Sequence, residues 1–295
     1  MIFVILAQIA PVLMIVGLGF LWARLHMRFD TETIGTVVLK IGTPCLIFSS
    51  LTQTEIALNV VGLNMISAVM VIAITAALAT IVLRLFELPL HTFLPSVIHA
   101  NTGNMGLPLS AMIFGDVGLA LGIGYFLIMA TSQNTLGLAI ATGRLDLRDF
   151  LRQPVIHASI LTAGVLLFAV PVPDWIARTT ELLGGMVIPM MLLLLGVSLS
   201  QLRVTDLRLA LGITALHLAA SALGALSVIW ALGLVGMQAG IIWIMATMPV
   251  AVANIIYAER FGRSPELIAG VIVVSTVTTL AALPILVWVA AWIAA

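Results

Sequence analysis

His99-Ala100-Asn101-Thr102-Gly103-Asn104-Met105-Gly106-Leu107-Pro108 lies inside residues 91–115, a run without Asp, Glu, Lys or Arg. A run of that length is enough to cross a bilayer, which takes roughly 20 mostly apolar residues. Yet the quoted segment carries two Gly, two Asn and a Pro. Proline removes a backbone donor and clashes with the preceding turn, and glycine loses the most entropy on ordering, so the helix is expected to unwind near its middle. Thr247-Met248-Pro249-Val250-Ala251-Val252-Ala253-Asn254 repeats the pattern inside residues 238–260. Each interruption frees N–H and C=O groups that hydrocarbon cannot satisfy, so protein or a water-filled cavity must surround them.

The rest of the chain explains why hydrocarbon is the relevant solvent. Hydrophobic residues make up 62% of 295 positions and charged residues 8%, a balance from which a water-facing surface cannot be built. Apolar runs recur at 2–22, 35–52, 57–83, 91–115, 118–142, 155–170, 180–200, 207–233, 238–260 and 266–293. A transmembrane barrel would show short alternating segments, and stretches such as Val69 to Leu83 do not alternate. The first run lacks a basic lead-in and a small-residue cleavage signal, and is expected to be a retained helix. Cys45 stands alone, which excludes an internal disulfide and a cysteine metal cluster. The fourteen Met residues read as packing material.

Basic residues orient the ten runs. The odd-numbered loops hold Arg24, Arg28, Arg84, Arg144, Arg148, Arg152, Arg203, Arg208, Arg260 and Arg263, with Lys40 just inside the second run, whereas the even-numbered loops hold Arg178. By the positive-inside rule the odd loops face the cytoplasm and both termini face outward, periplasmic in a bacterial inner membrane. Trp175, Trp230, Trp243, Trp288 and Trp292 fall near outer ends and Trp22 near an inner end, as an interfacial aromatic belt would. Arg144, Arg148 and Arg152 recur every four residues, a basic stripe suited to lipid headgroups.

A loop at 143–153 separates five runs (1–142) from five (154–295). Odd numbers force the halves into opposite orientations, the plan of an inverted repeat. Phe114-Gly115 and Phe261-Gly262 close the fourth and ninth runs and, set in register, bring Thr102 opposite Pro249 and Leu107 opposite Asn254. Pro44 and Pro189 sit inside the second run of each half. The expected fold is all-α with ten transmembrane helices, in a 5+5 inverted repeat with helices 4 and 9 broken.

These residues carry a family resemblance. The ten-run plan, Asn101 to Pro108, and Pro249 through Asn254 into Tyr257-Ala258-Glu259-Arg260-Phe261-Gly262 are similar to the auxin efflux carrier family over essentially the whole length. That family includes the plant PIN carriers and bacterial permeases for malonate or malate. The resemblance implies a fold like that of bile-acid symporters, with helices 1, 2, 6 and 7 as a scaffold, helices 3–5 and 8–10 as a moving transport domain, and a dimer formed through the scaffold. It places the crossover at Asn101, Pro108, Pro249 and Asn254. The long cytoplasmic loop of the plant carriers is absent.

The expected function is secondary active transport of a small mono- or dicarboxylate by alternating access. The second half-helices are expected to begin near Pro108 and Pro249, presenting free N–H groups and positive dipole ends to the anion. Asn101, Thr102, Asn104, Pro108, Thr247, Pro249 and Asn254 are the candidate binding residues. His99, Gln133, Asn134, Pro44 and Pro189 are candidates for the path or for coupling. No acid lies at mid-span, so coupling to protons or sodium is open; His99 beside the interruption is the titratable candidate, and His217 and His157 carry less weight. Ser275, Thr276, Thr278 and Thr279 either line the path or bond between helices. The rivals are a passive anion channel, a sodium symporter of the bile-acid type, and a membrane enzyme. The last is disfavoured by short loops without paired acids, a metal cluster or a phosphate loop. No cofactor, metal or nucleic-acid partner is expected, and membrane lipid is the other partner.

Overall fold

Proline and glycine decide where the apolar runs stay helical. The computed structural model describes residues 2–54, 56–143 and 153–295. Among these residues all regular structure is helical, with one isolated bridge between Ala100 and Val250. Seven helical stretches are long and apolar enough to cross a membrane, and Pro154–Leu167 and Gly236–Ala246 are shorter apolar helices. The expected basic stripe at 144–152 lies outside the described residues.

In chain order the helices are α1 (Ile2–Arg24), α2 (Thr31–Gln53), α3 (Leu58–Leu85), α4 (Leu90–Ile98), α5 (Leu107–Ser132) and α6 (Leu138–Thr142). The second half supplies α7 (Pro154–Leu167), α8 (Asp174–Gln201), α9 (Leu207–Ala231), α10 (Gly236–Ala246), α11 (Asn254–Arg260) and α12 (Pro265–Ile293). Residues 102–142 are nominally one long helical stretch, but Gly115 at φ 67° and ψ −158° turns the chain between residues 114 and 116. A side chain resists that backbone conformation and glycine does not. Gly262, its register mate, also has positive φ, at 61°.

Irregular turns precede the prolines. A π turn at Val38–Gly42 leads into Pro44 and another at Thr102–Gly106 leads into Pro108. Each proline lacks the N–H that would close an ordinary turn and its ring crowds the carbonyl four residues back, so the preceding turn widens. In α8, Pro189 follows a break at Met186 between Asp174–Gly185 and Val187–Gln201.

Two sets of helices pack internally. In one, α1 lies along α8, and α2 packs on α7 and α8. A β-carbon at Gly19 would collide with the Leu193 carbonyl and one at Gly196 with the Val16 carbonyl, so α1 and α8 meet backbone to backbone. In membranes, where lipid is as apolar as leucine, close approach between small residues is a main source of helix association. In the other set α9 packs on α3, α10 and α12, and α3 on α5. Two amides, Asn64 buried and Gln238 half-buried, tie this set together: Gln238 Nε2 donates to Asn64 Oδ1 at 2.8 Å, and Asn64 Nδ2 donates to Leu121 O at 3.0 Å. The sequence offered no signal for that pairing. One aromatic expectation is corrected: Trp243 is 8% exposed and donates its indole N–H to Leu286 O at 3.0 Å, so it is an interior residue of α10, not an interfacial anchor. Trp175, Trp230 and Trp292 are highly exposed.

Candidate functional site

α4 stops at Ile98 and α10 stops at Ala246, and the segments beyond them pair with each other. Ala100 and Val250 form an antiparallel bridge, in which Asn101 N donates to Pro249 O at 2.7 Å and Ala251 N donates to His99 O at 3.0 Å. Two stretches of freed backbone thus satisfy each other, as a low-dielectric interior requires. Ser275 of α12 accepts from Val250 N at 3.2 Å, and His217 of α9 sits between Val97 O and Met248 O, 2.7 Å from each. Residues 239–251 of this region are almost entirely buried.

After the bridge the first segment turns helical at once. Asn101 caps it, with Oδ1 accepting from Asn104 N at 3.3 Å and its carbonyl accepting from Met105 N and Gly106 N. The half-helix opens with a π turn capped by Asn101, and α5 proper begins at Leu107 with Pro108 in its first turn, as expected. The other segment stays irregular until α11 begins at Asn254, not near Pro249. Pro249 lies in the paired stretch, where only its carbonyl is used and its missing N–H leaves nothing unsatisfied.

Of the candidate residues, the structure brings Asn101, Thr102, Asn104, Pro249 and Asn254 to the crossing, with Gln133 and Asn134 beside it. Gln133 Nε2 donates to Asn254 Oδ1 at 3.3 Å, and Tyr257 OH donates to Asn134 Oδ1 at 2.7 Å. Both amides lie in a π turn at Gln133–Gly137, which swings consecutive side chains toward the second segment. Thr247 is turned into its own helix, its hydroxyl donating to Trp243 O at 2.8 Å. Pro44 and Pro189 lie on α2 and α8, which take no part in the backbone pairing. Gly103 faces α8 nevertheless, since a β-carbon there would lie 3.1 Å from Phe126 Cε2 and 3.8 Å from Met191 Cε.

Two donors at the crossing are left over. Asn101 and Asn254 are 5% and 3% exposed, and with each Oδ1 engaged, each Nδ2 is buried without a partner. A buried amide nitrogen without an acceptor costs roughly 1–3 kcal/mol. One such nitrogen comes from each segment.

His99 is buried, with Nδ1 2.9 Å from Pro95 O and Nε2 3.1 Å from Ser132 Oγ. A neutral ring satisfies both contacts, donating from Nδ1 and accepting from the hydroxyl. It also packs tightly, since a β-carbon on Gly137 would lie 2.9 Å from its Cε1. His217, which sequence reasoning weighted less, makes the contacts that bridge the segments, and only its distant partners reveal this.

Apolar spans around paired, irregular backbone with unspent amide donors define a polytopic membrane transporter. The family model for membrane transport proteins matches residues 4–146 and 138–289. The chain belongs to this family, that of the auxin efflux carriers. It is also similar to an uncharacterized transporter of Methanothermobacter thermautotrophicus strain Delta H, at 27% identity over 94% of this chain and 95% of that relative.

Proposed function

We propose that the protein is a secondary carrier of small carboxylates, working by alternating access from a ten-span 5+5 inverted repeat whose fourth and ninth spans are broken at the crossing. The observation that carries the substrate class is the pair of buried, unpartnered amide nitrogens of Asn101 and Asn254. A carboxylate has two oxygens and about four lone-pair sites, so it can accept from both. Asn104 and the amides Gln133 and Asn134 complete the polar lining. α4 and α10 carry no Asp, Glu, Lys or Arg, and the one charged residue of α5, Asp116, is exposed beside the Gly115 bend, which suits a site that binds an anion by dipoles and releases it again.

The repeat reading is supported by the positive-φ glycines Gly115 and Gly262 at matched places and by prolines after irregular turns in α2 and α8. Of the two packed sets, α1, α2, α7 and α8 are the scaffold, the remaining helices move, and a second copy joins through the scaffold. The inner membrane with both termini outside follows from the distribution of arginines.

The test is purified protein screened by thermal shift against malonate, malate and monocarboxylates, followed by counterflow in proteoliposomes. A ligand that favours the folded state raises the melting temperature. Saturable counterflow distinguishes a carrier from a channel, and normal binding by both Asn101→Ala and Asn254→Ala would refute the assigned site.

A further inference from the structure

We infer that His217 is a proton-binding clasp, the coupling-ion site of this carrier, closed in its imidazolium form on the two interrupted segments. The sequence gives no acid at mid-span, so a coupling proton needs another home. His217 is the eleventh residue of the 25-residue α9, near its middle, and is fully buried. Its two ring nitrogens face Val97 O, the last turn of α4, and Met248 O, the residue before Pro249, both at 2.7 Å. Carbonyl oxygens only accept. A neutral imidazole donates from one nitrogen and presents a lone pair at the other, so either tautomer sets a lone pair against a carbonyl at hydrogen-bonding distance. The imidazolium donates to both, and charge-assisted bonds of this kind are the stronger ones.

The contrast with His99 sharpens the assignment. Ser132 Oγ can donate as well as accept, so His99 is complete when neutral, whereas His217 is complete only with a second proton. Among the described residues, the helices packed around His217 set no fixed counter-charge beside it. α10 has no titratable side chain; α3, α4 and α12 carry Arg84, His91 and Glu266 near their ends, and α9 itself carries Arg208 in its first turn. The titratable side chain within electrostatic reach is His99. The two carbonyl dipoles at Val97 and Met248 offset part of the cost of burying that cation, and an anion at Asn101 and Asn254 would lower it further. Met248 and Asn101 are linked through Pro249, whose carbonyl accepts from Asn101 N. Proton and carboxylate therefore favour each other's binding, and loss of the proton opens one of the two carbonyl contacts that hold the crossing. The transport consequence rests on the carboxylate-carrier reading; the protonation of His217 does not.

The experiment uses nitrogen-15 histidine NMR of the full-length protein carrying His26, His91, His99 and His157 as glutamine, so that His217 reports alone. Between about pH 5 and pH 8 both ring nitrogens are expected to be protonated at the acid end, with conversion to one neutral tautomer at the alkaline end. A single neutral tautomer throughout overturns the inference. Should that variant fail to fold, the His99→Gln protein supplies the same reading, with the buried ring identified by its slow exchange. In proteoliposomes, malonate entry is expected to draw in protons, and His217→Gln to lower that proton flux at least tenfold and to weaken malonate binding with it. Malonate entry with equal proton flux in the His217→Gln protein also overturns the inference. Failure of malonate and related carboxylates to bind at all would refute the carboxylate reading instead, leaving the NMR result to decide His217.

Discussion

Asn101 acts through separate atoms: its N–H pairs with Pro249, its Oδ1 caps the following turn, and its Nδ2, buried without a partner, is the donor proposed for the carboxylate. Truncation to alanine removes the last two together. A hydrogen bond to a charged group contributes about 1.5–3 kcal/mol, so Asn101→Ala and Asn254→Ala are each expected to weaken carboxylate binding about ten- to hundredfold, as read by titration calorimetry. Asn254→Ala should cost less stability, because that side chain caps nothing. At the membrane surface, Asp30 caps α2 by accepting from Thr33 N at 3.0 Å and from the Thr33 hydroxyl at 2.6 Å. The Thr33 hydroxyl, then the Thr33 amide, hold the Asp30 carboxyl below its ordinary value. A depressed carboxylate stabilises the fold above its unfolded pKa and loses that contribution as pH falls through the folded one. The start of α2 is therefore expected to fray below about pH 4, seen as faster amide exchange at Thr33, and Asp30→Ala should remove the pH dependence.

Among elements, the contact between α1 and α8 is the least tolerant of change. Gly19 and Gly196 each face an opposing carbonyl with no room for a β-carbon. Because overpacking a well-packed contact costs about 1–3 kcal/mol or more, Gly196→Leu is expected to lower the melting temperature clearly, whereas Gly17→Leu, with open space around it, should not. The interruptions of α4 and α10 tell the complementary story. Pro95 and Pro249 weaken helix locally, but a proline alone produces only a kink. The chain stays extended at Ala100 and Val250 because each segment provides the other's hydrogen bonds. The position of each break was readable from its Gly, Asn and Pro content; that the breaks would pair was not, since the partners lie about 150 residues apart in the chain.

For the whole molecule, the proposed opposite orientation of the halves predicts which surfaces face which side. With Cys45 replaced by serine, a single cysteine at Arg178 is expected to react with a membrane-impermeant thiol reagent from outside, and one at Arg84 only after the membrane is opened. Labelling of both from the same side would contradict the inverted arrangement. Division into two packed sets predicts that they slide past each other at the contact of Thr102–Gly106 with α8. A bulky residue at Gly103, opposed by Phe126 and Met191, should therefore slow exchange more than it weakens binding.

Length, apolarity, proline and arginine are properties that each stretch of chain carries by itself. From them come the membrane setting, the ten runs, their proposed orientation and the two weak points. Satisfaction of a buried polar group depends instead on whatever packing brings near it. His217 reaches a carbonyl 120 residues away, Ser275 an amide 25 residues away, and Gln133 an asparagine 121 residues away. Which weak points came to pair, and which histidine lies between them, was decided only when the helices had packed. Hydrogen bonds select their partners by distance in space, and the order of residues along the chain does not contain that distance.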